Sequence, residues 1–81
     1  MDIKWKIYTQ PRCSYCNLSK IALTEKNIKY EEINIKENAQ ALEEMRLANL
    51  KTVPQIYDDK GNHIGGYDQL RKKLNDYNTL Q

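Results

Sequence analysis

Hydrophobic and polar positions change period several times along the chain. Ile3, Trp5 and Ile7 alternate with Lys4, Lys6 and Tyr8, the two-residue period of a strand. Thr9-Gln10-Pro11-Arg12 breaks it, and from Cys13 to about Asn27 the spacing becomes helical. At about 100° per residue, Ile21, Leu18, Ala22, Tyr15, Leu23 and Cys16 share one broad arc, leaving Lys20, Thr24 and Asn17 for the remainder. An arc that wide predicts a helix covered both by a sheet and by another helix. Ile28 to Ile35 reads as a second strand, and Glu37 to Asn49 as a second helix with Leu42, Met45 and Ala48 or Asn49 at helical spacing. Val53 to Tyr57 is a third strand. Asp58 to Asn62 supplies turn chemistry, and His63-Ile64 returns as a short fourth strand. After Gly65-Gly66, residues Tyr67, Leu70, Leu74 and Tyr77 mark a third helix, and Asn78 to Gln81 are expected to fray.

The resulting order, β-α-β-α-β-β-α, predicts an α/β fold. The first β-α-β unit should be a right-handed crossover with parallel strands. The terminal hairpin adds antiparallel strands, giving a mixed four-stranded sheet with helices on both faces. Eighty-one residues without repeat or linker imply a single domain over 1–81. A chain this short leaves little room for a large internal cofactor cavity. Two cysteines exclude a disulfide-dense scaffold, and with one histidine, His63, they fall short of a four-ligand zinc site. No metal ligands are assigned, and His63 is expected to be a solvated turn neighbour. A net charge of +2 gives a weak field, and Arg71-Lys72-Lys73 reads as a solvated helical face rather than a nucleic-acid contact. The first six residues alternate with charge and lack the apolar core of a secretion signal. No stretch approaches the roughly 20 apolar residues that span a bilayer. The expectation is a soluble protein of a reducing intracellular compartment, with neither nucleic-acid nor membrane partners.

In such a compartment Cys13-Ser14-Tyr15-Cys16 becomes the chemical feature of the chain. Two residues between cysteines at a helix start bring the sulfurs within bridging distance. The loop-to-helix junction places the first sulfur beside unpaired backbone N–H groups at the positive end of the helix dipole. Arg12 adds positive charge, so both features favour thiolate over thiol at Cys13. Cys16 lies one turn deeper on the apolar arc, where desolvation keeps it protonated. Cys13 is therefore the expected nucleophile, and Cys16 the thiol that resolves the mixed disulfide left on it. A C-x-x-C motif beside a βαβ pattern reads as a thioredoxin-like redox motif.

Two further segments extend the site. In Thr52-Val53-Pro54, a cis Val53–Pro54 bond would turn the backbone N–H and C=O of Val53 outward to pair with an extended peptide. Gly65-Gly66-Tyr67-Asp68 opens the last helix, whose N-terminus could bind a carboxylate through backbone amides while Asp68 accepts from an ammonium. A carboxylate and an ammonium on one carbon, with a thiol a few bonds away, describe the γ-glutamyl end of glutathione.

Lys6-Ile7-Tyr8-Thr9 before Cys13-Ser14-Tyr15-Cys16, then Thr52-Val53-Pro54-Gln55-Ile56, then Ile64-Gly65-Gly66-Tyr67-Asp68-Gln69-Leu70, resembles a glutaredoxin from about Ile3 to Tyr77. The run from Gly61 to Arg71 looks especially like the forms carried by large tailed phages, which would place the protein in a host cytoplasm. The resemblance implies a thioredoxin-like fold and a monomeric, cytoplasmic dithiol oxidoreductase. Such an enzyme reduces protein disulfides and glutathione mixed disulfides with electrons from glutathione, ribonucleotide reductase being a family-level target. By position, Cys13 and Cys16 are the redox pair. Tyr15, Lys51, Thr52, Val53, Pro54, Gly66, Tyr67 and Asp68 would hold glutathione, with Lys51 placed for its glycine carboxylate. The chain departs from the family pattern twice. Neutral Gln10 stands where a Lys or Arg is common, with Arg12 nearer the thiol, and Ser14 stands where proline is usual. Ser14 is expected to cap the helix or hydrogen-bond the thiolate. Two alternatives follow from these departures: a small redoxin reduced by thioredoxin reductase, or a module binding a glutathione-ligated [2Fe–2S] cluster between two subunits.

Overall fold

The computed structural model describes residues 4–79, with side chains through residue 76. Ile3 and the last two residues of the expected frayed end lie outside the described residues, as does the Tyr77 side chain. Strands β1 (Trp5–Thr9) and β2 (Tyr30–Asn34) are parallel neighbours linked through helix α1 (Ser14–Glu25). The chain continues through α2 (Ala39–Leu47), β3 (Gln55–Tyr57), β4 (His63–Gly65) and α3 (Tyr67–Thr79). The sheet order is β2-β1-β3-β4, with β3 antiparallel to both β1 and β4. The expected mixed four-stranded architecture is thus present. β2 and β3 are shorter than the pattern suggested, whereas β4 gains Gly65. β3 begins at Gln55 rather than Val53, consistent with Pro54 having no N–H to give a ladder. The third helix, by contrast, runs on to Thr79, past the expected start of fraying at Asn78.

Alternation along β1 divides its side chains between two cores. Trp5 and Ile7 pack with Ile56 of β3, Leu23 and Ile28 at the end of α1, and Leu70 and Leu74 of α3. Tyr8 points the other way, against the cluster of Ile35, Ala41 and Met45 beneath α2. The helices therefore cover both faces, and each fully buried aliphatic side chain stabilises the fold by about 1.5–3 kcal/mol. The arc expected on α1 is narrower than its apolar composition. Only Cys16, Ser19 and Leu23 are buried, whereas Tyr15, Leu18 and Ile21 are exposed. On α2 the buried residues are Ala41 and Met45, and Leu42 faces solvent. A short helix against one sheet face buries a single stripe, and neighbouring apolar positions are left outside it.

Both crossover helices stop in the same way, and this aims the segments that follow. After α1, Asn27 takes a left-handed φ of 58°, its N–H donates to the Thr24 carbonyl, and the Ile28 N–H donates to the Leu23 carbonyl at 3.0 Å. After α2, Asn49 takes φ 60°, with N–H bonds from Asn49 to Arg46 and from Leu50 to Met45 at 3.0 and 2.9 Å. Each is a Schellman closure in which the residue after asparagine packs against the core side chain one turn back. The second closure sends residues 51–54 towards the start of α1.

Candidate active site

The loop after β1 turns through Arg12, whose φ is 61°, and delivers Cys13 in extended conformation as the N-cap of α1. The sulfur of Cys13 accepts the backbone N–H of Cys16 at 3.1 Å. That satisfies one of the orphan donors every helix start presents. Cysteine, not Ser14, is therefore the cap. Ser14 is the first helical residue, exposed, and no hydrogen bond among the described residues joins its hydroxyl to the sulfur. Arg12 is exposed as well and forms no ion pair or hydrogen bond among the described residues. Its influence on Cys13 is that of a nearby, solvent-screened charge. The two cysteines, with Cα atoms 5.2 Å apart, are joined as a disulfide. Cys16 is 1% exposed, whereas Cys13 is only partly buried, so one sulfur of the pair is open to attack from solvent.

The proline turn lies against that sulfur. The Val53–Pro54 peptide is cis, and the Val53 carbonyl oxygen stands 3.9 Å from Cys13 Sγ. Pro54 is buried, while Lys51 and Thr52 are exposed. A groove of about 650 Å³ runs from Cys13 along Val53, Thr52 and Lys51 to Met45 and Arg46 of α2. Arg46 is already engaged by Glu43 at 2.6 Å, whereas Lys51 makes no ion pair among the described residues. The neutral Gln10 lines the same groove.

The start of α3 completes the enclosure. A methyl group on Gly66 would sit 3.6 Å from the Pro54 carbonyl oxygen, so the two segments nearly touch. Gly66 has no side chain with which to cap the first-turn N–H groups. The carboxamide of Gln69 folds back instead onto the Gly66 N–H at 3.0 Å, half of a capping box. Tyr67 is held by Arg71, which donates to its hydroxyl at 2.8 Å. The Tyr67 ring lies 5.7 Å from that of Tyr15, which is 60% exposed between the two cysteines. Asp68 is exposed in the first turn. The proline turn therefore lies against the Cys13 sulfur, and the start of α3 lies against the proline turn and Tyr15.

A glutaredoxin family model matches residues 6–64. Glutaredoxin 3 of Escherichia coli K12 is 42% identical over 66 residues, covering 80% of this chain and 78% of its own. The chain belongs to the glutaredoxin family. The glutaredoxin of phage T4 is 35% identical over 72 residues, covering 75% of this chain and 83% of its own. A crystal structure of glutaredoxin 1 from Francisella tularensis, complexed with cacodylate, superposes with a TM-score of 0.78 at 33% identity, over 94% of this chain and 96% of that one. Glutaredoxins are thiol–disulfide oxidoreductases that use glutathione as co-substrate, and this chain carries the redox-active pair. No helix among the described residues is long and apolar enough to cross a membrane. A [2Fe–2S] cluster takes four ligands. With Cys16 sealed, each chain of this glutaredoxin offers one sulfur, Cys13, so a cluster of the expected kind would need the Cys13 of a second chain and two glutathione thiols as its other ligands.

Around the glutaredoxin site, three polar residues do work that their sequence positions did not announce. Gln69 sets the cap just described. Gln55, 6% exposed, donates from its side-chain amide to the Thr52 carbonyl at 3.0 Å and to the Thr52 hydroxyl at 3.2 Å. His63 Nε2 lies 2.8 Å from the remaining Gln55 oxygen. The only available signal was Gln69 three residues after a helix-opening glycine. At the foot of the cysteine loop, Thr9 donates its hydroxyl to Glu32 at 2.8 Å, and Lys20 of α1 reaches the same carboxylate at 3.1 Å. The Thr9 hydrogen bond is the largest effect and holds the Glu32 carboxyl below its usual range; burial, the next largest, opposes it, and the hydrogen bond and charge of Lys20 add smaller lowering effects.

Proposed function

We propose that this glutaredoxin reduces glutathione mixed disulfides and protein disulfides in a reducing cytoplasm, with Cys13 as nucleophile, Cys16 as resolving thiol and glutathione as electron donor. One observation carries the reading: Cys13 alone is reachable, and its sulfur accepts a helix-start N–H at 3.1 Å. A backbone N–H aimed at sulfur stabilises the anion more than the neutral thiol, so the Cys13 thiol is expected below its ordinary acidity range and well below Cys16.

The Cys13 thiolate attacks the glutathione sulfur of a mixed disulfide. A bond forms between the two sulfurs, and the substrate leaves as a thiolate that solvent protonates. A second glutathione thiolate then attacks the glutathione sulfur held on Cys13, releasing oxidised glutathione and regenerating the Cys13 thiolate. With a protein disulfide, the Cys13 thiolate breaks the substrate S–S bond, forming a mixed disulfide and freeing one substrate thiolate; Cys16 then loses its proton and displaces the other substrate sulfur from Cys13. That closes the Cys13–Cys16 disulfide and releases a fully reduced dithiol. Two electrons pass to substrate in either route. Thr52 and Val53 would pair with the glutathione backbone, beside Pro54. The first turn at Gly66, Tyr67 and Asp68 would take its γ-glutamyl group, Tyr15 would flank it, and Lys51 would meet its glycine carboxylate.

A glutathione-coupled assay on a small glutathione mixed disulfide tests the reading. Cys13→Ser is expected to abolish turnover, while Cys16→Ser keeps mixed-disulfide reduction and loses protein-disulfide reduction, for which the disulfide of ribonucleotide reductase is a suitable substrate. Substantial turnover by Cys13→Ser would overturn the assignment. Faster turnover with thioredoxin reductase than with glutathione would overturn the electron source.

A further inference from the structure

We infer that His63, through Gln55, positions the Thr52–Val53 edge against which substrate pairs. The inference rests on the proposed role of that edge. The Thr52 carbonyl can only accept, so the atom of Gln55 facing it at 3.0 Å is the amide nitrogen. The Gln55 oxygen then faces His63, and the 2.8 Å contact needs a proton on His63 Nε2. Both the neutral Nε2–H tautomer and the imidazolium carry one.

The sheet geometry brings His63 into reach. Tyr57 pairs with His63 and Ile56 with Gly65, so β4 holds one extra residue at a bulge. The bulge sets His63 beside Tyr57, with ring centroids 4.8 Å apart, on the face that also carries Gln55. A continuous series of contacts runs from an exposed imidazole through a buried carboxamide to Thr52, and Val53 then lies 3.9 Å from the reactive sulfur. Thr52 and Val53 belong to neither helix nor strand. Gln55 supplies the two hydrogen bonds that hold the Thr52 end of this edge, and His63 in turn fixes which way Gln55 points. Without that donor the buried Gln55 oxygen loses its partner, and the amide is no longer held in one orientation.

Two substitutions separate the proton from the ring. His63→Phe keeps a ring over Tyr57 but removes the donor, whereas His63→Gln restores an N–H at similar reach without the ring. His63 is exposed, so neither change opens the core. With a glutathionylated peptide, His63→Phe is expected to raise KM about 3- to 10-fold, the loss of one hydrogen bond, with kcat unchanged. Alkylation of reduced Cys13 by iodoacetamide, which has no peptide to pair, should keep its wild-type rate. His63→Gln should return KM to within about twofold of wild type. An unchanged KM in His63→Phe, or an equal rise in both variants, would overturn the inference. Amide hydrogen exchange over residues 52–57 tests it without turnover. Faster exchange in His63→Phe than in wild type and His63→Gln supports the inference, and identical exchange overturns it. Failure of the wild-type enzyme to use the peptide would instead count against the proposed function.

Discussion

Two adjacent glycines offer a way to separate the stability of this glutaredoxin from its proposed affinity for glutathione. Gly65 has φ +119°, a backbone that side chains rarely adopt, and a Cβ there would lie 3.0 Å from Gln69 Cγ and 3.1 Å from Gln69 Cβ. The outer atoms of Gln69 can swing away, but its Cβ is fixed by the helix, so α3 itself must shift. Backbone strain of this kind costs roughly 1–3 kcal/mol. Losing the Gln69 bond to the Gly66 N–H adds about 0.5–1.5 kcal/mol. Gly65→Ala should therefore destabilise by about 2–4 kcal/mol, lowering Tm by roughly 8–30 °C for a domain of this size. At Gly66 the φ lies outside the left-handed range, and a methyl group meets Gln69 Oε1 at 3.4 Å and the Pro54 oxygen at 3.6 Å, both ordinary contacts. Gly66→Ala should stay within about 1 kcal/mol of wild type, mostly the poorer N-cap. Its methyl group nonetheless narrows the gap between the proline turn and the amides proposed to take the γ-glutamyl carboxylate. Loss of one charge-assisted bond there should raise KM for glutathione on the order of 10- to 100-fold with kcat kept. Thermal melts by circular dichroism and steady-state glutathione saturation read the two effects separately. Equal melting temperatures for the variants, or an unchanged KM in Gly66→Ala, would refute the reasoning.

Thr9→Val removes the hydroxyl that holds the Glu32 carboxyl down. The folded pKa of Glu32 lies below its ordinary 4.5, so its contribution is complete above about pH 4.5 and disappears as pH falls through the folded value. The variant should be less stable than wild type at pH 7 by about 0.5–1 kcal/mol, Glu32 being substantially exposed, and the gap should close on acidification. Urea titrations across that range check this, and a constant gap would contradict it. Lys51→Ala should raise KM for glutathione up to about fivefold, the scale of an exposed ion pair. The effect should fade in high salt, and salt-insensitive loss would point to packing instead.

Much of this site was legible because its signals are local. Cys13 and Cys16 are separated by two residues, and a loop-to-helix junction makes that spacing a sulfur at a helix start whatever surrounds it. Val53-Pro54, where proline fixes the backbone, and Gly65-Gly66, where glycine frees it for a left-handed turn, are equally local signals. Asn27 and Asn49, each four residues after a core side chain and just before another, carry the helix endings. Ser14 was misplaced by one position, because the sulfur of Cys13 can itself accept the orphan N–H that a serine would have taken.

Period, turn chemistry and cysteine spacing, all set by neighbours in the chain, determined the order of elements and the redox pair. Tertiary structure decided what depends on distant partners. It left Tyr15, Leu18 and Ile21 of one apolar arc in solvent while burying Ser19, because burial follows what packs against a helix. It brought Val53 to Cys13 across 40 positions of chain, and Gly66 to the Pro54 carbonyl. It also joined His63 to Thr52 through Gln55, a contact that exists only where a bulged strand edge lies beside the proline turn.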